Sequence, residues 1–129
     1  MQLKNEIVFN ETFAKSFAKL LKQPFSATIS LQLIATLKAL NEQQNNVFAV
    51  RDSLLDRLAK KDSEGKIVRT NKGIEFLDDA SSIEFFNEMD GLIKLEFEVP
   101  LKEKLKLDDK IQISAEEILT LQPVVEMNI

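Results

Sequence analysis

Apolar residues recur along this chain at two different periods, and the alternation between them outlines the elements. Lys4 to Phe9 reads as a short strand, after which Asn10 is placed to cap a helix opening at Glu11. There Phe13, Phe17 and Leu20 recur at spacings of four and three, Ala14, Ala18 and Leu21 widen the stripe, and Lys15, Lys19 and Lys22 occupy another face. Pro24 ends the run, because it can neither donate a backbone hydrogen bond nor leave its predecessor helical.

The longest pattern begins at Ser26. Ser30, Leu33, Leu37, Leu40, Gln44, Val47, Arg51, Leu54 and Leu58 follow one another at alternating steps of three and four, with Ile29, Ile34, Phe48 and Leu55 beside the seam. The spacing predicts one helix of about 35 residues, roughly 50 Å at 1.5 Å per residue. A compact domain of this chain length has a radius of gyration of only about 14 Å, so such a helix overhangs, bends or finds a partner. Asn45-Asn46, both poor helix formers, mark the expected bend.

Lys60 to Gly65 then reads as a helix end running into a turn, followed by a hairpin of two extended pieces, Lys66 to Arg69 and Ile74 to Leu77. Ser81 and Glu84 have capping-box spacing ahead of a helix with Phe85, Phe86, Met89, Leu92 and Ile93 on its apolar face. Leu95, Phe97 and Val99 alternate with Glu96 and Glu98 as in a half-buried strand, and Ile111 to Ile113 is its expected partner. Ser114 and Glu117 introduce a terminal helix broken near Pro123. The order predicts an α+β fold: one long helix plus three shorter helices packed on a small, mainly antiparallel sheet. It is expected to be a single domain over 1–129, helical with a short first strand over 1–60 and mixed over 61–129.

Composition narrows the chemistry. The 129 residues are 44% hydrophobic and 29% charged, the profile of a packed globular chain, and the absence of Cys and His removes thiolate nucleophiles, thiolate metal sites and histidine-based triads. Gly65, Gly73 and Gly91 are isolated, so there is no phosphate-cradling loop. Glu96 and Glu98 are more plausible as a solvated strand face than as a divalent-cation site, and Asp62-Ser63-Glu64-Gly65 lacks the spaced ligands of a calcium loop. The expectation is a protein that is not an enzyme and needs no cofactor.

The net charge of −4 is uneven along the chain: residues 1–60 hold eight basic against five acidic side chains, residues 61–129 nine against sixteen. Such a balance argues against direct nucleic-acid binding, which needs clustered cations. With nine Phe and no Tyr or Trp, most of the aromatic rings are expected in the core. The apolar stretch from Ala27 to Leu40 is interrupted by Gln32 and Lys38, which argues against a membrane span or signal core; a cytoplasmic protein is expected.

Gln44 and Arg51 stand where the long seam calls for apolar residues. Polar groups there commonly fix register or partner in helix pairing, although they also occur where a helix leaves the body. The candidate partner-binding residues are therefore Gln44, Val47, Arg51, Leu54 and Leu58.

Several features together resemble a loosely defined family of small tailed-phage proteins encoded near tail and lysis genes. They are the first strand and helix, the long helix through Arg51, Leu54, Leu55 and Leu58, the Lys61-Asp62-Ser63-Glu64-Gly65 turn, the Phe85-Phe86-Asn87-Glu88 helix, and Leu95-Glu96-Phe97-Glu98-Val99 before a capped terminal helix. The resemblance implies a phage or prophage origin, in the host cytoplasm or the virion, and supplies no catalytic residues. The leading expectation is an accessory or virion protein that binds a protein partner or itself through the long helix. The alternative is an acidic inhibitor that covers a basic, nucleic-acid-binding surface of a host defence enzyme.

Overall fold

A computed structural model describes residues 1–127 and has the expected α+β composition: four helices, one of them long, and small paired strands. In chain order the elements are β1 (Gln2–Lys4), a 3₁₀ turn (Asn5–Phe9), α1 (Glu11–Leu21), α2 (Ala27–Leu58), β2 (Arg69–Thr70), β3 (Gly73–Ile74), α3 (Asp79–Lys94), β4 (Glu96–Glu98), β5 (Leu105–Leu107), α4 (Ala115–Thr120) and β6 (Val125–Met127). The strands form three pairs: β1 with β4 and β2 with β3 run antiparallel, and β5 with β6 runs parallel. Packing divides the chain into two compact units, residues 1–44 with 96–129, and residues 45–95. The boundary at Gln44 and Asn45 falls inside α2, whose helical assignment continues unbroken through Asn45-Asn46.

In the first unit, Asn10 accepts a hydrogen bond from the Phe13 N–H at 3.0 Å and starts α1 where the sequence places it. The α1 stripe is buried, with Phe13, Phe17 and Leu20 at most 3% exposed and the Phe13 and Phe17 rings 5.9 Å apart. Leu33 and Leu40 of α2 are also buried, as are Leu101, Leu121, Val124 and Val125 toward the other end of the chain.

Three expectations for this unit need correction. Only the first residue of the expected strand at 4–9 is in one; residues 5–9 wind into the 3₁₀ turn, which buries Asn5, Ile7 and Val8 together, as an extended chain with alternating faces would not. The strand at 96–98 pairs with the N-terminal segment instead of with 111–113, which is not a strand. Its partner register, Gln2 to Glu98, is anchored by the chain's amino group, which donates to the Val99 and Leu101 carbonyls and to Glu98. Finally, β5 and β6 were not expected as strands; Leu105 and Leu107 alternate with Lys104 and Lys106, and the partner strand lies beyond Pro123.

The second unit has its own core. Leu55, Leu58, Ala59 and Phe85 are buried, with Leu54, Ile67, Ile74, Phe76 and Met89 packed against them. The helix end is spliced into the hairpin: the Lys60 N–H donates to Glu75, the Val68 N–H to Lys60, and the Glu75 N–H to Val68. Gly73 at φ +106° makes the tight return and Gly65 at φ +80° closes the turn organised by Asp62, which accepts from the Glu64 and Lys66 N–H groups. Helix α3 opens earlier than the Ser81–Glu84 spacing predicts. Asp78 is the cap and accepts from Ser81 N–H, a contact that holds its carboxyl below the ordinary range, while Glu84 is turned to Arg57 at 2.5 Å.

Candidate functional site

The polar positions in the long seam are placed by the structure in two different settings. Gln44 belongs to the first unit, where its side-chain amide donates to the Val8 carbonyl at 3.0 Å, while Gln43 donates to Asn5 at 2.8 Å. The two glutamines satisfy groups in the 3₁₀ turn, whose short run leaves backbone acceptors for side chains to meet. Val47 and Leu58 are 1% and 5% exposed, and Leu54 packs on the core of the second unit. The hydrophobic seam is thus occupied by the protein's own packing, and it does not gather these residues into one open surface.

Arg51 is a charged seam residue that reaches solvent, with its side chain 36% exposed. Its guanidinium carbon lies 4.4 Å from the centroid of the Phe48 ring, one turn back, in cation–π geometry. It meets Asp52 at 3.4 Å, and its Nε is buried without a hydrogen-bond partner among the described residues.

The largest aromatic exposure is on α3. Phe86 is 61% exposed although its ring touches Phe85 at 5.5 Å and Phe76 at 5.9 Å. Ile83, one turn before it on the same side of the helix, is also 61% exposed, and Leu77 just ahead of α3 is 59% exposed. Asp79 and Asp90 lie one turn to either side of this pair. Of the nine Phe, Phe13, Phe17 and Phe85 are buried, five are half-buried and Phe86 is exposed, so the expected internal set holds with Phe86 as its exception. The missing signal was depth: α3 carries apolar residues on more of its circumference than one core contact covers.

The charge asymmetry along the chain does not carry into three dimensions. The first unit draws on both ends of the sequence and holds nine basic against eleven acidic side chains; the second holds eight against ten. Each nets −2. Among the described residues no group of three or more acidic side chains is disposed to hold a metal ion, and no helix is long and apolar enough to cross a membrane. Glu98 is engaged by the chain's amino group and by Gln2, and Lys19 of the α1 basic stripe by Glu117 at 2.9 Å.

No family model matches the chain, and no curated protein or solved structure matches it.

Proposed function

We propose that the protein works without catalysis, by binding another protein, in the manner of the phage accessory or virion proteins whose sequence pattern it resembles. The binding face is the outer side of α3 with Leu77. The observation that supports this reading is the exposure of Ile83 and Phe86, two large apolar side chains one helical turn apart, at 61% each. Isolated exposed apolar residues are ordinary, but an aromatic anchor flanked by another on a rigid helix is the arrangement from which binding hot spots are built.

The margin of the face defines the partner. Asp79 and Asp90 border it, and Asp78 and Glu88 lie nearby on the same helix and its cap. A second copy stacking this face on itself would bring carboxylates together, so the favoured occupant is a segment of another protein with apolar residues flanked by Lys or Arg. The long helix serves as scaffold: Leu54, Leu55 and Leu58 supply the floor on which Phe76 and Phe85 rest. The alternative of an acidic cover for a nucleic-acid-binding surface loses its motivating feature once the charge is levelled between the units.

The test is selection of displayed random peptides on the intact protein, with Ile83→Ser/Phe86→Ser as counter-selection. Enriched peptides should combine Leu, Phe or Met with Lys or Arg and should fail to bind the double variant. No enrichment over the variant, or enrichment of acidic peptides, would overturn the reading.

A further inference from the structure

A second feature of the 45–95 unit uses none of the exposed α3 residues. It is a cleft of about 270 Å³ between α2, the β2–β3 hairpin and α3. The sequence builds it simply. Arg51, Asp52 and Leu55 share one side of α2. Ile67 and Arg69 are two apart on an extended chain and so share a face, and Ile74 joins them because it is paired directly opposite Arg69. Phe85 closes the floor from α3.

Both arginines are short of acceptors. Arg69 has no ion pair or side-chain hydrogen bond among the described residues, and Arg51 has a buried Nε without a partner. The one acid in the cleft, Asp52, meets Arg51 at a long 3.4 Å and is 68% exposed, so it is a weak, solvated partner. The Arg51 guanidinium lies over the Phe48 ring, a contact that uses none of its N–H donors. Two guanidiniums and one carboxylate leave a single positive charge above a floor of Leu55, Ile67, Ile74 and Phe85.

We propose that this cleft binds a carboxylate carried on a short apolar chain, the carboxylate between Arg51 and Arg69 and the chain against Leu55, Ile74 and Phe85. A single net positive charge matches a carboxylate, and it is a poor match to a phosphate dianion, which would remain half uncompensated in a partly apolar site. The volume sits just below the usual range of small-molecule pockets, which suits a short acid and excludes a nucleotide.

The experiment is a titration of the isotopically labelled, intact protein by heteronuclear NMR with hexanoate, acetate, inorganic phosphate and hexanol. Hexanoate should give saturable shifts of the Leu55, Ile67 and Ile74 amides and of the Arg51 Nε–H signal. Acetate, lacking four methylenes, should bind about tenfold more weakly or worse. Phosphate and hexanol should not saturate these signals. Arg69→Gln, an exposed substitution that leaves the fold intact, should weaken hexanoate by about tenfold. The proposal falls if these signals do not move, if phosphate or hexanol binds as well as hexanoate, or if Arg69→Gln binds undiminished. Loss of peptide binding at α3 would leave all of these readouts unchanged, so the two sites are tested separately.

Discussion

Phe17→Ala and Phe86→Ala make the same chemical change at opposite depths, and the structure assigns them very different costs. Phe17 is 1% exposed, stacked on Phe13, and lines an existing cavity of about 90 Å³ shared by Ile7, Leu40 and Gln44. Burial of a phenyl side chain contributes about 1.5–3 kcal/mol. The space left by the ring is roughly 100 Å³, which at about 24 cal/mol per Å³ adds about 2.4 kcal/mol because α1 cannot collapse to fill it. Phe17→Ala should therefore cost about 4–5 kcal/mol, a large share of a typical total stability of about 5–15 kcal/mol. Phe86 is already 61% exposed, so its truncation forfeits only the remaining fraction of that burial and its edge contacts, about 1 kcal/mol. With neither Trp nor Tyr in the chain, intrinsic fluorescence is uninformative, and urea unfolding is followed by circular dichroism at 222 nm. If Phe86→Ala costs as much as Phe17→Ala, Phe86 is a core residue and the α3 binding face does not exist.

Two further outcomes can be checked by the same unfolding measurement. Glu117 is drawn down from the usual 4.5 to about 2, first by the Ser114 backbone N–H, then by Lys19 and the Ser114 hydroxyl. Because the folded value is the lower one, its contribution is complete above pH 4.5 and lost as pH falls toward 2; Glu117→Gln should narrow the gap to wild type across that window and leave it constant above it. The glycines give opposite signs: Gly73→Ala, forced to hold φ +106°, should destabilise by about 1–2 kcal/mol, whereas Gly91→Ala, inside α3 with open space at its Cβ, should stabilise by about 0.5–1 kcal/mol.

Elements held by local chemistry were legible in the sequence. The Asn10 cap, the α1 stripe, the length of α2 and the Ser114–Glu117 box, where both reciprocal bonds form, each depend on residues within a turn or two of one another. What sequence reading missed was pairing across long separations. Gln2 faces Glu98 and Leu105 faces Val125 because the first unit is closed by both ends of the chain, and no local period records that. The same discontinuity explains the misleading charge profile, since a division at residue 60 cuts through neither unit boundary.

The candidate site was half legible for a related reason. Polar residues at Gln44 and Arg51 interrupt the seam, and the interruption does mark special positions, but the period cannot say what each polar group meets. Gln44 meets a carbonyl freed by the 3₁₀ turn and becomes structural. Among the described residues Arg51 meets an aromatic ring on its own helix and makes a single long contact to Asp52, which leaves its Nε without an acceptor, and only the hairpin register brings Arg69 to the same cleft. A polar residue in an apolar seam is therefore a question about supply: where the surrounding backbone already offers an acceptor the residue is absorbed into the fold, and where it offers none the unused donor remains for a ligand. That distinction predicts that Gln44→Leu, which leaves the Val8 carbonyl without its side-chain donor, lowers stability by about 1–3 kcal/mol, whereas Arg51→Gln changes it less while weakening hexanoate binding. Equal stability losses with unaltered hexanoate affinity would show that both residues are structural.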